Sequence, residues 1–328
     1  MRKRLTGIAA FAAAAALTLT ACSSGSLSGG ETDAPDNGDG STELTKVTVG
    51  LLPIAPAAAV QLGIDEGIFE KHGLEVAIET GQGGAALLPA VSSGTIQFAV
   101  GNPQSVLVAA SQGLPMNIIA GYSAITDPAP SGIVVMEDSG ISTWKDLEGK
   151  TVALNTINTQ GHLTTMEMVE RDGGDPTKVE FTEIAFPDQL AQLEQGNIDA
   201  SWIPEPFLTA SLNTEGVTWL GDPLTAIDGL YTMVTFSSAN YVQENPEITE
   251  AFVEAISEST ALAMSDDAAY RDAIVEFTGM PAEAVAGIRL EALSGDLDRT
   301  IIEELSALAL KFGMLETEPN LDEVIWQP

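Results

Sequence analysis

The sequence predicts an α/β protein made of two similar lobes, each a mostly parallel sheet flanked by helices. Short apolar runs of strand length alternate with helical segments along most of the chain, which is typical of parallel sheets. The same succession of segments then occurs a second time. The part that we expect to fold, residues 46–328, is long enough for two compact lobes.

The first succession begins near residue 46. We predict strands at 46–52, 75–80, 96–100 and 117–121, and helices at 63–72, 85–93 and 104–111. Apolar and polar residues alternate at 75–80, which indicates a strand with one buried face. Gly73 and Gly94 fit the left-handed position that commonly ends a helix.

The second succession repeats the first. Its predicted strands are 132–136, 151–154, 178–184 and 200–203, with helices at 162–171 and 187–195. Val49 and Val152 are 103 positions apart, and Gly94 and Gly196 are 102 apart. We interpret this as a tandem repeat, the alternative being a chance similarity between two βαβ units.

The segments after the second succession are assigned to lobe one. A strand at 231–237 and helices at 247–264, 269–277 and 299–312 complete lobe one. Lobe one is therefore predicted to be 46–128 plus 228–328, and lobe two 129–227. The chain would cross between them near 122–131 and 224–231, and two crossings form a hinge that can close around a ligand.

The N-terminus predicts export. Residues 1–21 carry three basic residues and then a short apolar stretch from Ile8 to Leu19, which is too short to span a bilayer and is typical of a signal peptide. The ending Leu19–Cys22 resembles a bacterial lipobox, so we expect Cys22, the only cysteine, to be lipidated rather than a free thiol. Residues 22–45 lack large apolar residues and are predicted to be a disordered tether. The expected location is extracytoplasmic, anchored by lipid to the outer face of the cell membrane.

Composition excludes several classes of protein. A formal net charge of −34 repels nucleic acid, and we expect membrane contact through lipidated Cys22 only. The sequence contains two histidines and no H-E-x-x-H, G-x-S-x-G or Walker motif. We therefore expect no enzyme activity, no metal and no cofactor, and a monomer in solution.

Five stretches together resemble one family. They are Gly63–Val76, Ser93–Gly101, Ile141–Val152, Gly196–Ala200 and Glu205–Phe207, and they resemble the SsuA/THI5-like (NMT1-like) substrate-binding proteins. The resemblance implies a type II periplasmic-binding fold that delivers a solute to an ABC permease driven by a cytoplasmic ATPase. It also implies a small organic solute, either a sulfonate-, taurine- or nitrate-like anion or a thiamine-type pyrimidine.

Candidate ligand residues follow the predicted strands, because ligands of open parallel sheets bind beyond the carboxyl ends of the strands. In lobe one they are Pro56, Gln82, Asn102, Gln104 and Ser105; in lobe two they are Thr159, Gln160, His162, Trp202 and Glu205. Thr159 can cap a helix whose free N–H groups would bind an anion.

Three of these candidates keep an alternative role. His162 is either a hydrogen-bond donor to the ligand or a surface residue without a role. Trp202 either stacks on the ligand or belongs to the core. Glu205 either contacts the ligand or anchors the hinge through backbone N–H groups.

The candidate loops contain no arginine or lysine, and arginine is the strongest clamp for an oxyanion. This disfavours a sulfonate and leaves open a zwitterion, a neutral heterocycle such as a thiamine-type pyrimidine, or another small organic solute. The predicted function is solute capture for import. The alternatives are a lipoprotein that senses without transport and a THI5-like enzyme of pyrimidine synthesis.

Overall fold

A computed structural model describes residues 43–81 and 83–328, and for residues 84 and 85 the backbone alone. The strands are β1 (Thr45–Leu51), β2 (Leu74–Thr80), β3 (Phe98–Gly101), β4 (Met116–Ala124), β5 (Ser131–Met136), β6 (Thr151–Leu154), β7 (Glu180–Glu183), β8 (Ala200–Pro204), β9 (Val217–Gly221), β10 (Tyr231–Ser238) and β11 (Ala292–Leu293). The helices are α1 (Ala58–Asp65), α2 (Ile68–Lys71), α3 (Gly84–Ser92), α4 (Pro103–Ser111), α5 (Gln160–Arg171), α6 (Phe186–Glu194), α7 (Phe207–Leu212), α8 (Ala239–Glu244), α9 (Pro246–Ser265), α10 (Asp267–Thr278), α11 (Ala282–Val285), α12 (Arg299–Lys311) and α13 (Leu321–Val324).

The strands form two mixed sheets. The larger sheet has the order β11-β4-β10-β3-β1-β2, and the smaller has the order β7-β6-β8-β5-β9. In the larger sheet β1 to β4 point the same way, and β10 and β11 run against them. In the smaller sheet β6 to β9 point the same way, and only β5 is reversed. The predicted α/β class, with mostly parallel sheets flanked by helices, is confirmed.

Strand register confirms the repeat. Val49 lies opposite Ile78 in β2 and Phe98 in β3. Val152 lies opposite Phe181 in β7 and Ala200 in β8. The paired positions are therefore shifted by the same one hundred or so residues that separate the two successions. Gly94 and Gly196 both have left-handed backbone, with φ of 76° and 69°, a conformation that glycine adopts without a steric penalty.

Several elements differ from the prediction. β9, β11 and the helices α7, α8, α11 and α13 were not predicted, because elements of two to six residues carry little periodic signal. The strand predicted from 178 begins only at Glu180, since Pro176–Lys178 forms a 3-10 turn that the Asp175 carboxylate caps. Residue 45, predicted to end the tether, is the first residue of β1. The predicted signal peptide, Cys22 and most of the tether lie outside the described residues.

Aromatic side chains fill the core of the larger sheet. Phe98 of β3 stacks on Phe252 of α9, with ring centres 3.9 Å apart, and meets Tyr241 edge-on. Phe69 of α2 packs against the same Phe252 ring at 5.6 Å. These contacts fix α2, α8 and α9 against the sheet that supports the first set of strand-end loops.

Two connections join the sheets, and both lie at the same end of the strands. β4 ends at Ala124 and β5 begins at Ser131, and β9 ends at Gly221 and β10 begins at Tyr231. Because β5 and β10 are reversed, both connections lie at the carboxyl ends of the parallel strands. Thr42–Pro328 forms one compact unit, so the lobe boundaries within it remain a prediction.

None of the helices in the described part of the chain combines the length and the apolar character that crossing a membrane requires.

Candidate functional site

A cavity of about 50 Å³ lies where the carboxyl ends of both sheets meet. The larger sheet contributes Leu52, Ile54, Asn102, Thr232, Met233 and Glu291 to its lining. The smaller sheet contributes Ser131, Asn155, Thr159, Gln160, Gly161 and Trp202, with Phe186, Pro204 and Leu224 beside them. The cavity therefore occupies the position in which this class of sheet binds ligands, and its walls are largely apolar.

The first turn of α5 forms one wall. The Thr159 hydroxyl donates to the carbonyl of Thr156 at 2.7 Å and makes no hydrogen bond to the helix, so the predicted side-chain cap is wrong. The hydroxyl is used within the preceding turn instead. In the described part of the chain the Thr159 side chain therefore leaves the first N–H groups of α5 uncapped, and they can donate to a ligand in the cavity.

The indole of Trp202 lies flat against this turn. A Cβ atom placed on Gly161 would lie 3.0 Å from two ring carbons of Trp202, so the close approach depends on glycine. The indole also packs against Phe186, with ring centres 5.9 Å apart. Its Nε1–H is buried and has no hydrogen-bond partner among the described residues, which makes it a donor available to a ligand.

Gln160 joins the two sheets and keeps one free acceptor. Its Nε2 donates to the carbonyl of Tyr231, at the start of β10, at 2.7 Å. Its Oε1 is buried, like the whole residue, and no group in the described part of the chain donates to it. A buried amide oxygen without a donor costs free energy, so this atom indicates a ligand that donates a hydrogen bond.

Glu291 brings a carboxylate to the cavity from the segment before β11. It is 5% exposed, and the Thr232 hydroxyl donates to its Oε2. The Ser123 hydroxyl in turn hydrogen-bonds that of Thr232 at 2.5 Å. Burial raises the pKa of Glu291 to about 7, although the hydroxyl contacts act in the opposite direction. At neutral pH the group is therefore close to half ionised.

A second buried carboxylate lies behind the lining. Asp222, which follows β9, accepts from the Ser131 hydroxyl at 2.6 Å and from the N–H of Leu224 at 2.9 Å. Burial raises the pKa of Asp222 to about 6, and the charge of Asp222 contributes to the raised pKa of Glu291. Both carboxylates thus belong to one acidic region at the crossings between the sheets.

Glu205 lies next to the cavity and outside its lining. It is 2% exposed, and its carboxylate accepts from the N–H and the hydroxyl of Thr209, at 3.0 and 2.7 Å. It also accepts from the N–H of Arg289 at 3.1 Å. Burial raises the pKa of Glu205, and these hydrogen bonds lower it. The geometry matches the anchoring role, because the carboxylate ties α7 to the segment that carries Glu291.

His162 faces away from the cavity. Its Nδ1 accepts from the N–H of Asn158 at 3.0 Å, and its ring packs on Phe181 at 4.1 Å. Burial lowers the pKa of His162 to about 4, so the ring is neutral at physiological pH. In this position it shapes the turn before α5.

Of the candidates predicted in the first lobe, Asn102 lines the cavity, and the other described ones do not. Asn102 lines the cavity and caps α4 by accepting from the N–H of Ser105 at 2.9 Å. The Ser105 hydroxyl also donates to Asn102 Oδ1, at 3.1 Å. Gln104 is buried in α4, and its side-chain nitrogen and oxygen have no partner. Pro56 accepts from the Tyr122 hydroxyl at 2.8 Å through its carbonyl, and Gln82 lies outside the described residues.

The structure thus brings Asn102, Thr159, Gln160 and Trp202 together around one cavity, with Glu205 adjacent. The sequence reasoning missed Glu291, Ser131 and Thr232. Only the loops after the repeated strands were considered, whereas these three residues lie near the starts of reversed strands or before β11. The predicted crossing at 122–131 includes Ser131, and Thr232 is the residue directly after the crossing at 224–231, so the crossings were the signal that could have found both.

Within the described part of the chain, no group of three or more histidine, cysteine or acidic side chains is arranged to hold a metal ion.

Three curated relatives align with this chain. One is an aliphatic sulfonates-binding protein of Escherichia coli (strain K12), 26% identical over 63% of this chain and 66% of the relative. Another is a taurine-binding periplasmic protein of the same strain, 25% identical over 65% of this chain and 64% of the relative. The third is a formylaminopyrimidine-binding protein of Halalkalibacterium halodurans, 24% identical over 65% of this chain and 64% of the relative. The chain spans just under two thirds of the length of each.

The fold matches a solved structure. The alkanesulfonate-binding protein SsuA from Xanthomonas axonopodis pv. citri, bound to MOPS, superposes with a TM-score of 0.74 at 17% identity, over 87% of this chain and 99% of that one. This likeness establishes the two-sheet periplasmic-binding fold. The NMT1/THI5-like family model matches residues 57–269. Since that match covers more than half of the chain, the protein belongs to the NMT1/THI5-like family.

Proposed function

We propose that this protein is the solute-binding subunit of an ABC importer and captures a small organic molecule in the cavity between its sheets. The observation that carries the proposal is a cavity at the strand ends with buried polar atoms, Gln160 Oε1 and Trp202 Nε1, that lack partners. Such atoms are rare in a folded interior, and a bound solute would satisfy them. The binding roles of the curated relatives support the same function.

Capture proceeds by hinge closure in this proposal. The sheets are linked by residues 125–130 and 222–230, and the described arrangement holds contacts that an open form would break. One is the hydrogen bond from Gln160 to Tyr231. Another is the ion pair of Lys311 in α12 with Glu167 in α5 at 2.6 Å. A cavity of about 50 Å³ leaves little room for an organic solute, so in this proposal the sheets move apart to admit it.

A thermal-shift panel tests binding directly. The panel contains taurine, isethionate, methanesulfonate, nitrate and substituted pyrimidines with and without an amino group. A solute at about one hundred times its dissociation constant adds about 2.7 kcal/mol to the free energy of unfolding, which raises the melting temperature measurably. The matched control is Trp202→Ala, in which the same solute should produce a much smaller rise. No rise with any member would contradict the proposal.

The second part of the proposal concerns where the protein is held. We propose that residues 1–21 are removed as a lipoprotein signal and that lipidated Cys22 holds the protein on the outer face. Cys22→Ala is expected to move the protein from the membrane fraction to the soluble fraction, measured by fractionation of cells of the source organism. Because Cys22 is the only cysteine, no other thiol can take its place. Retention of the variant in the membrane fraction would refute the lipid anchor.

A further inference from the structure

The cavity has an excess of hydrogen-bond acceptors at one end. Among the described residues, Gln160 Oε1 is buried without a donor, and Glu291 is contacted by two hydroxyls, those of Thr232 and Ser123, and by no cationic side chain. A carboxylate has room for about four donors. The unused acceptor capacity therefore calls for N–H groups from a ligand.

The charge of the site points the same way. None of the described residues that line the cavity is arginine or lysine. Arg289, two residues before Glu291, directs its guanidinium to the Trp219 ring at 5.3 Å and to the carbonyl of Ala129 at 2.9 Å. An anion placed beside Glu291 and Asp222 would meet two buried carboxylates without a compensating cation, which is unfavourable in a low-dielectric interior.

The opposite wall supplies donors. Among the described residues the buried indole Nε1–H of Trp202 has no acceptor, and the Thr159 side chain does not cap the first N–H groups of α5. The site is therefore polarised, with donors at the Trp202 wall and acceptors at Glu291 and Gln160. A solute that matches it has acceptor atoms at one end and an amine at the other.

Resting on the proposed function, we propose that the solute of this protein carries an amino, ammonium or amidinium group that donates to the Glu291 carboxylate. Under this proposal, oxyanions without an amine, such as nitrate and unsubstituted alkanesulfonates, are not solutes of this protein. The amine forms a charge-assisted hydrogen bond with Glu291, which is the strongest type that the site offers. The acceptor end of the solute binds at Trp202 and the start of α5.

Matched solute pairs test the proposal on the unaltered protein. The first pair is taurine and isethionate, which differ by an ammonium in place of a hydroxyl. The second is 4-amino-2,5-dimethylpyrimidine and 2,5-dimethylpyrimidine. Isothermal titration is expected to give an affinity about 10- to 100-fold higher for the amine member of whichever pair binds. Equal affinities within a pair, or a tighter amine-free member, would overturn the proposal.

The variant Glu291→Gln localises the effect. It keeps the shape and one acceptor oxygen, and it is expected to lower the affinity for the amine member about 10-fold or more while changing the amine-free member little. Glu183→Gln is the control, because Glu183 is an exposed carboxylate that accepts from the N–H of Ile157. An unchanged affinity for the amine in Glu291→Gln would also overturn the proposal.

The thermal-shift panel separates this inference from the proposed function. If only amine-free members of the panel bind, the amine assignment is wrong and the importer role stands. If no member binds, the importer role itself is contradicted, and the amine assignment fails with it. If amine-bearing members bind and depend on Glu291, both stand.

Discussion

Glu205→Ala is expected to lower the free energy of unfolding of the empty protein by about 3 kcal/mol. The carboxylate is 2% exposed and accepts hydrogen bonds from the N–H groups of Thr209 and Arg289. Alanine leaves both part-buried N–H groups without this acceptor and frees α7 from the segment before β11. Urea unfolding without added solute measures the loss.

Glu183→Ala provides the comparison for this loss. Glu183 also accepts a backbone N–H, from Ile157 at 2.8 Å, but it is exposed, so water can replace it. We expect that variant to change the free energy of unfolding by less than about 1 kcal/mol. If Glu205→Ala left the empty protein as stable as this control and weakened solute binding instead, Glu205 would be a ligand residue and the anchoring role would be wrong.

Glu291→Gln is expected to make the empty protein more stable than the wild type at about pH 8, by about 3 kcal/mol, and nearly equal to it at about pH 4. In the unfolded chain the carboxyl ionises around its ordinary pKa of 4.5, whereas burial raises the pKa of the folded state to about 7. Between those values the unfolded chain loses its proton first, so the wild type loses stability as pH rises through this window. Glutamine does not ionise and removes the loss.

Neighbouring groups do not obscure this comparison. Asp222 has its pKa raised to about 6 and contributes a similar slope at lower pH, but it is present in both proteins. The pKa values of Tyr122 and Tyr270, which feel the charge of Glu291, are raised by burial, so both phenols stay neutral. Urea unfolding of both proteins at several pH values gives the difference. A difference that does not vary with pH would show that Glu291 is not a buried, protonatable acid.

The sequence was sufficient for most of the fold because strong patterns lie within single segments. The strands of both successions and the long helices α5, α9, α10 and α12 have clear apolar periodicity, and most of their observed bounds lie within a few residues of those predicted. The repeated spacing of about one hundred residues predicted that two similar α/β units follow one another along the chain. Sheet order and the two reversed strands could not be read from periodicity, since they depend on pairing between distant segments.

The site was predicted less completely for the same reason. Asn102 and Gln160 follow strands of the repeated units, and Trp202 lies within β8, two residues before its end, so the strand-end rule leads to this region. Glu291 reaches the cavity because β11 pairs with β4. Ala292, the residue after Glu291, lies opposite Ala124, which is 168 positions earlier in the chain. The direction of His162 is set by the Phe181 ring and the N–H of Asn158, which no local pattern reveals.

The pairing of β4 with β10 has a consequence for how such a chain can be rearranged. Ala124, where the chain leaves the larger sheet, lies opposite Tyr231, where it returns. The exit and the return are neighbours on adjacent antiparallel strands, so a hairpin of about two residues could join them. Ile133 and Gly221 face each other in the same way in the smaller sheet. The smaller sheet is therefore an insertion with adjacent ends, and gene exchange could graft or replace it as a cassette without cutting any strand of its host.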